Sequence, residues 1–303
     1  MKYLFGPVNS RRFGLSLGID LSPDKKSCNF DCLYCELDKA KPVSTIQNEP
    51  NPDEIVAEVK HFLQKNPYPE VITITANGEP TLYSKLDVLI EKLQKIKGNS
   101  QLLILSNGST IHKKEIQEAL KNLDIVKISL DAADQRTFQK VNKTLKGIKV
   151  ENIIQGLQEF RKIFKGTLVI EILVVKNVND SPENIKKIAE VLKDIKPDRV
   201  DLGTVDRPPA YRVFPVSDEE LLKLGECLKD FNLNIITRGK DNILSEFQLS
   251  EEEILNTFKR RPYTYSDIEK VFNQETVNKI KDMISNGKLI EKKVGNTFFI
   301  LPG

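Results

Sequence analysis

The chain has 303 residues, 39% hydrophobic and 29% charged, which is enough apolar chain for one large barrel with an appendage, or roughly two domains, and too little bias for a disordered or fibrous protein. Its 46 lysines and arginines against 43 carboxylates leave a net charge of +3, which demands no polyanionic partner. No run approaches the roughly 18 apolar residues of a spanning helix, so no membrane partner is expected and a cytoplasmic location is.

In chain order, apolar β-branched runs alternate with amphipathic helical stretches. Strands are expected over 12–21, 70–76, 101–106, 125–131, 167–175 and 199–205, with 232–238 as a seventh. Helices are expected over 53–65, 84–96, 113–123, 151–164, 181–195 and 217–231. Ser181-Pro182 and Ser217-Asp218 supply caps followed by proline or carboxylates. Six βα repeats fit an incomplete (β/α) barrel and an open doubly wound sheet alike, and both bind ligands at the C-terminal ends of the strands. Beyond residue 244 the pattern turns to short helices over 250–260, 265–272 and 275–287, then a two-stranded ribbon over 288–301 that turns at Gly295-Asn296. That is the order of a winged helix, and it predicts two domains, 1–240 and 245–303.

The four cysteines are distributed unevenly: Cys28, Cys32 and Cys35 fall in SCNFDCLYCELD, directly after the first expected strand. Soft thiolates at such short spacing select iron–sulfur or zinc, and three of them cap three corners of a [4Fe-4S] cluster while leaving one iron open. A structural zinc needs four closed ligands, and His61 and His112 lie in helical stretches; zinc completed from elsewhere and plain reduced core thiols stay open as alternatives. Cys227 shares an apolar stripe with Leu224 and Leu228 and reads as a small buried hydrophobe.

The arrangement C-x3-C-x-Tyr-C, carried by Cys28, Cys32, Tyr34 and Cys35, resembles the signature of the radical S-adenosyl-L-methionine (radical SAM) superfamily. The run from Phe5 to Cys35 is similar to a branch grouped with wyosine-synthesis and nitrogenase-cofactor-assembly proteins, and the resemblance extends over roughly residues 4–215. It implies an α/β fold, an incomplete (β/α)6 TIM-like barrel, to which the element order beyond residue 244 adds a C-terminal winged-helix-like domain. It also implies two cofactors, a [4Fe-4S] cluster on the three cysteines and S-adenosyl-L-methionine (SAM) on the open iron. Reductive cleavage then yields a 5′-deoxyadenosyl radical that takes hydrogen from a substrate, and an electron donor of the flavodoxin or ferredoxin type is the implied partner.

The same resemblance assigns the SAM site. In TANGEPTL, Gly78, Glu79 and Pro80 match the family's Gly-Gly-Glu motif for the methionine amino group, and Asn77 replaces the first glycine, as a residue at ease in unusual turns. Ser106, Asn107, Ser129 and Asp131 stand where the family contacts ribose and carboxylate. Alternation sends Lys127, Ser129 and Asp131 to the inner face, although Asp131 also suits a helix cap. Glu171 fits either an inward polar group or a solvated edge. Ser10-Arg11-Arg12 and Asp206-Arg207-Pro208-Pro209 are expected at the barrel rim, where arginine clamps a phosphate or carboxylate.

From residue 245 onward nine basic residues meet nine acidic ones, a cool footprint for a nucleic-acid module despite Lys288, Lys292 and Lys293 on the expected wing. With only Cys227 left over, a second cysteine-ligated cluster is not expected. The surviving readings are modification of an RNA or a peptide, or glycyl-radical activation of a partner protein. The rival from another class is a non-catalytic Fe-S redox-sensing regulator that binds DNA through the winged helix. The sequence names no catalytic residue for the substrate.

Overall fold

The computed structural model describes residues 1–10, 12–236, 249–260, 262–294 and 297–303. A hairpin pairs β1 (Leu4–Ser10) antiparallel to β2 (Gly14–Asp20). From β2 each strand lies parallel to the next: β3 (Val71–Thr75), β4 (Gln101–Ser106), β5 (Ile125–Ser129), β6 (Thr167–Val174), β7 (Arg199–Thr204) and β8 (Leu233–Ile235). Spatial order follows chain order from β1 to β8, and no pairing joins β8 back to β1 among the described residues. Side chains of β2 through β7 share one cavity, which only a curled sheet permits.

The crossovers carry α1 (Pro52–Lys65), α2 (Leu86–Gln94), α3 (Lys114–Leu120), α4 (Gln135–Asn142), α5 (Val150–Ile163), α6 (Pro182–Ile195) and α7 (Asp218–Gly225). Their apolar stripes bury against the outer sheet face; in α1 these are Ile55, Val59, Phe62 and Leu63. Each such side chain contributes about 1.5–3 kcal/mol when fully buried. The expected caps form: Ser181 accepts from Asn184 N, and Ser217 and Glu220 make a capping box.

Strand parity sorts the sheet faces. Ile72, Ile74, Leu102, Ile104, Val126, Ile128, Ile170 and Ile172 face the helices, while Val71, Leu103, Ile125 and Val169 meet inside with Phe13. Three elements depart from the periodicity reading, one of them the short strand Tyr263–Thr264, which adds a third strand to the two-stranded ribbon expected over 288–301. β1 was not expected because Gly6-Pro7 interrupts its pattern, which an antiparallel edge strand tolerates. α4 was not expected because its eight residues are mostly polar, with Phe138 and Val141 as its buried apolar residues; Asp134 caps it through Thr137 N. The helix expected over 217–231 is shorter: α7 ends at Gly225 and passes into a 3-10 turn, Glu226–Leu228.

The C-terminal elements are α8 (Glu251–Arg260), β9 (Tyr263–Thr264), α9 (Tyr265–Val271), α10 (Gln274–Ser285), β10 (Leu289–Val294) and β11 (Thr297–Pro302), with strands in the order β10-β11-β9. Their core includes Phe258 stacked on Tyr263 at 4.7 Å, and it also takes in Val8 of β1, with Phe5 packed against it. Gly6 N donates to the buried Thr257 Oγ1 at 3.1 Å. The expected junction between 240 and 245, the end of the strand over 232–238, Arg11 and the Gly295-Asn296 turn lie outside the described residues.

Candidate active site

After β2 the chain runs irregularly to α1, and this segment carries the three cysteines. It is tied down on two sides. Asp31 N and Leu33 N donate to Asn142 O and Val141 O at the end of α4, and Leu145 N donates back to Asn29 O. Phe30 meets Phe138 edge-on at 5.5 Å. On the other side, Ser27 N donates to Asn77 O and Glu79 N to Ser27 O, a parallel bridge to the turn after β3.

All three cysteines line one cavity of about 470 Å³, and each sulfur has an N–H donor nearby. Lys26 Nζ lies 3.6 Å from Cys35 Sγ, Asn107 Nδ2 3.6 Å from Cys28 Sγ, and Asn142 Nδ2 3.4 Å from Cys32 Sγ. Phe30 N adds a donor to Cys28 Sγ at 3.4 Å. Burial, with Glu79 nearby, pushes the Cys28 thiol up to about 12, and burial lifts Cys32 well above its ordinary range. These sulfurs therefore keep their protons until a metal displaces them. Among the described residues no three His, Cys, Asp or Glu are arranged to hold a single metal ion. A four-iron cluster asks for something else: three separate sulfurs facing one cavity, with donors to soften its negative charge, and the residues present fit that requirement.

The turn after β3 holds the second group. Gly78 sits at φ +144°, and a Cβ there would stand 1.9 Å from Ser27 O, so only glycine lets the cysteine segment dock. Asn77 keeps a negative φ; its backbone N–H donates to Asp20 Oδ1 at 2.7 Å, and this contact, not an unusual turn conformation, is what the position uses. Glu79 is 1% exposed. Its Oε1 accepts from Thr81 N, Thr81 Oγ1 and Ser106 Oγ, and its Oε2 from Asn107 N at 2.7 Å. Burial raises this carboxyl above its ordinary range while those bonds pull it back.

Tyr34, Asn77, Gly78, Glu79, Ser106, Asn107 and Ser129 all line the cavity with the cysteines; Pro80 and Asp131 stand behind its wall. Pro80 opens a short 3-10 turn, Pro80–Leu82, capped by Glu79. Asp131 caps no helix, since Asp134 does that for α4. Its carboxylate accepts from Tyr34 OH at 2.6 Å, Asn142 Nδ2 at 2.8 Å and Leu173 N at 2.9 Å. Burial lifts it to about 6 against those three bonds.

Deeper in the barrel lies an ionic network. Lys127, 3% exposed, reaches Glu171 Oε1 at 2.9 Å and Asp201 Oδ2 at 3.1 Å. Arg12 Nη2 closes on Glu171 at 2.6 Å, and Arg199 Nε holds Asp201 Oδ1 at 2.9 Å. Burial alone would raise Glu171, but Arg12 and then Lys127 hold it down at about 2. Glu171 is thus the inward group of its two readings. Arg12, expected at the rim, belongs instead to this network, because it precedes β2 and so stands at the strand's N-terminal end; Arg207 and Arg260 line the cavity elsewhere. Arg207 Nη1 donates to Pro262 O and its Nε lies 3.4 Å from Glu36.

Lys26, Asp201, Asp20, Asn142 and Arg260 escaped the sequence reading. Asp20 continues the inward parity of Ser16 and Gly18, so alternation carried a signal for it. Asn142 and Arg260 come from a polar helix and from the C-terminal elements, where no local pattern marks them.

The sequence model described as the Radical SAM superfamily matches residues 25–192. This chain belongs to the radical SAM superfamily. It is 38% identical over 297 residues to a UPF0026 protein of Helicobacter pylori, covering 98% of this chain and 96% of that one. Among solved structures it is similar to Streptococcus suis SuiB bound to precursor peptide SuiA, with TM-score 0.59 at 19% identity over 74% of this chain and 49% of that one. It is also similar to TYW1 with a lysine-pyruvate adduct bound, with TM-score 0.52 at 21% identity over 71% and 73%. These likenesses establish an α/β fold whose parallel sheet resembles the partial barrels of radical SAM enzymes. Superfamily membership implies a [4Fe-4S] cluster and SAM, supports SAM-dependent radical chemistry, and brings a general need for a reductant. The DNA-binding regulator finds no support among these relatives. No described helix is long and apolar enough to cross a membrane.

Proposed function

We propose that this chain cleaves SAM reductively at a [4Fe-4S] cluster held by Cys28, Cys32 and Cys35 and directs the resulting 5′-deoxyadenosyl radical at a substrate C–H bond inside the barrel. The observation that carries this reading is the convergence, in one cavity, of three cysteines with an N–H donor beside each sulfur and the bridged Asn77–Gly78–Glu79 turn. Bound there, the cluster and SAM supply an alkyl radical through one-electron cleavage of a sulfonium bond.

The chain's own residues do the positioning. Lys26, Asn107 and Asn142 stabilise negative charge on the sulfurs, which eases reduction. Glu79 Oε2 takes one donor and retains room for the methionine ammonium. Tyr34, Ser106, Asn107 and Ser129 form the remaining polar walls, Pro80 stiffens the turn, and Asp131 acts through Tyr34. The Arg12–Glu171–Lys127–Asp201 network keeps its charges paired at the barrel floor, so a substrate meets fixed dipoles there in place of mobile water.

Exposed Lys39, Lys41, Lys143 and Lys146 surround the cysteine segment and suit an acidic electron donor of the flavodoxin or ferredoxin type. Residues 245–303 are read as a winged-helix-like domain, from the order α8-β9-α9-α10-β10-β11, packed on a barrel domain ending near residue 240. Their zero net charge favours a peptide or protein segment over RNA as what they dock. Four unpaired cysteines fit the reducing cytoplasm.

Electron paramagnetic resonance tests the reading. The anaerobically reconstituted, dithionite-reduced protein is expected to give a cluster signal that shifts when SAM is added, and Cys32→Ala to give no such cluster. A spectrum indifferent to SAM would overturn the proposal.

A further inference from the structure

Among the described residues of the C-terminal elements, Arg260 lines the main cavity and reaches the turn after β3 by way of Asp20. Arg260, the last residue of α8, lines the main cavity with its side chain 12% exposed and sets Nε 2.7 Å from Asp20 Oδ2. Its other nitrogens are spent on backbone: Nη1 on Asn256 O at 3.1 Å and Nη2 on Lys2 O at 2.9 Å. The guanidinium is therefore locked in orientation from three sides.

Asp20, 1% exposed at the end of β2, divides its carboxylate between two tasks. Oδ2 faces Arg260, while Oδ1 accepts from Asn77 N at 2.7 Å and Ser22 N at 2.9 Å. Ser22 in turn donates from Oγ to Ser27 Oγ at 2.9 Å, next to Cys28, and Ser27 is bridged to Gly78. A carboxylate is planar and stiff, so the oxygen that Arg260 fixes determines where the other one meets the turn. Without Arg260, a buried anion would be left with neutral donors alone, and it would swing or admit water.

We infer that Arg260 is a positioning residue for SAM, acting through Asp20 on the Asn77–Glu79 turn. The inference rests on the reading of that turn as the SAM amino-group site. Its consequence is a route by which a partner or substrate docked on the C-terminal helices alters cofactor binding: displacing α8 pulls on Asp20, and Asp20 pulls on Asn77. A mere clamp between the two parts of the chain would have no such effect.

The test is titration calorimetry of SAM into the full-length, cluster-loaded protein, comparing wild type with Arg260→Ala, Arg260→Lys and Asp20→Asn. Arg260→Ala is expected to weaken SAM binding by at least about tenfold at unchanged iron and sulfide content. Arg260→Lys, which keeps the cation, is expected to recover part of the affinity. Arg260→Ala added to Asp20→Asn is expected to cost less than the two single changes together, as for residues acting through one contact. An Arg260→Ala protein that loads its cluster, loses thermal stability and binds SAM like wild type would overturn the inference and leave Arg260 a clamp. Wild-type protein that loads its cluster and binds no SAM would overturn the turn assignment itself, a separate result.

Discussion

Asp131 is the residue whose surroundings have the plainest consequence for pH. Its carboxyl is lifted to about 6 by burial, which the bonds from Tyr34, Asn142 and Leu173 N only partly offset, against an ordinary value of 3.8. Because the folded chain holds this proton more tightly than the unfolded one, the contribution to stability is fullest below the ordinary value and is lost as pH rises through about 6. The loss comes to about 3 kcal/mol. Asp131→Asn removes the titration, so the difference in urea unfolding free energy between wild type and variant is expected to change by about that amount from pH 4 to pH 8. A difference that stays flat across this range would contradict the burial argument. Resemblance singled the residue out, but its place was not legible: β5 ends at Ser129, so alternation does not carry Asp131 to the cavity, and Asn142, which joins it to Cys32, sits in a helix too polar for periodicity to reveal. The cysteines, Tyr34 and the Asn77–Glu79 turn were legible because a metal loop and a glycine-dependent bridge tolerate few residue types at fixed spacing.

The element that organises the site is the bridge between two irregular segments, the cysteine loop and the turn after β3. Helices and parallel strands declare themselves by a repeating apolar pattern, which is why the six βα units fell within a few residues of their expected places. A bridge of two residues has no period, so resemblance marked Gly78 while its pairing with Ser27 was not legible. Gly78→Ala is expected to break it, since the added methyl meets the Ser27 carbonyl at 1.9 Å and φ is +144°. The expected cost is on the order of 3 kcal/mol, with reduced iron retention after reconstitution. An alanine variant that holds iron and resists urea like wild type would show that the cysteine loop is anchored by α4 alone. β1 was missed for a related reason: a strand containing proline is stable only at an edge, and Phe5 and Val8 pack into the core of the C-terminal elements, where Gly6 N also donates to Thr257 Oγ1, 251 positions away.

For the whole molecule, chain order and spatial order coincide from β1 to β8, and the C-terminal elements close back on the first hairpin. One cavity therefore brings together the cysteine segment, the ends of β3 and β4, the ion network and Arg260, which no single stretch of sequence contains. The central claim is that this assembly generates a radical from SAM. Its most direct test is anaerobic: reconstitute the full chain with iron and sulfide, add dithionite and SAM, and measure 5′-deoxyadenosine by mass spectrometry beside a Cys28→Ala/Cys32→Ala/Cys35→Ala control. The account predicts 5′-deoxyadenosine from wild type and none from the control. A fully loaded wild-type cluster that yields no 5′-deoxyadenosine would contradict it.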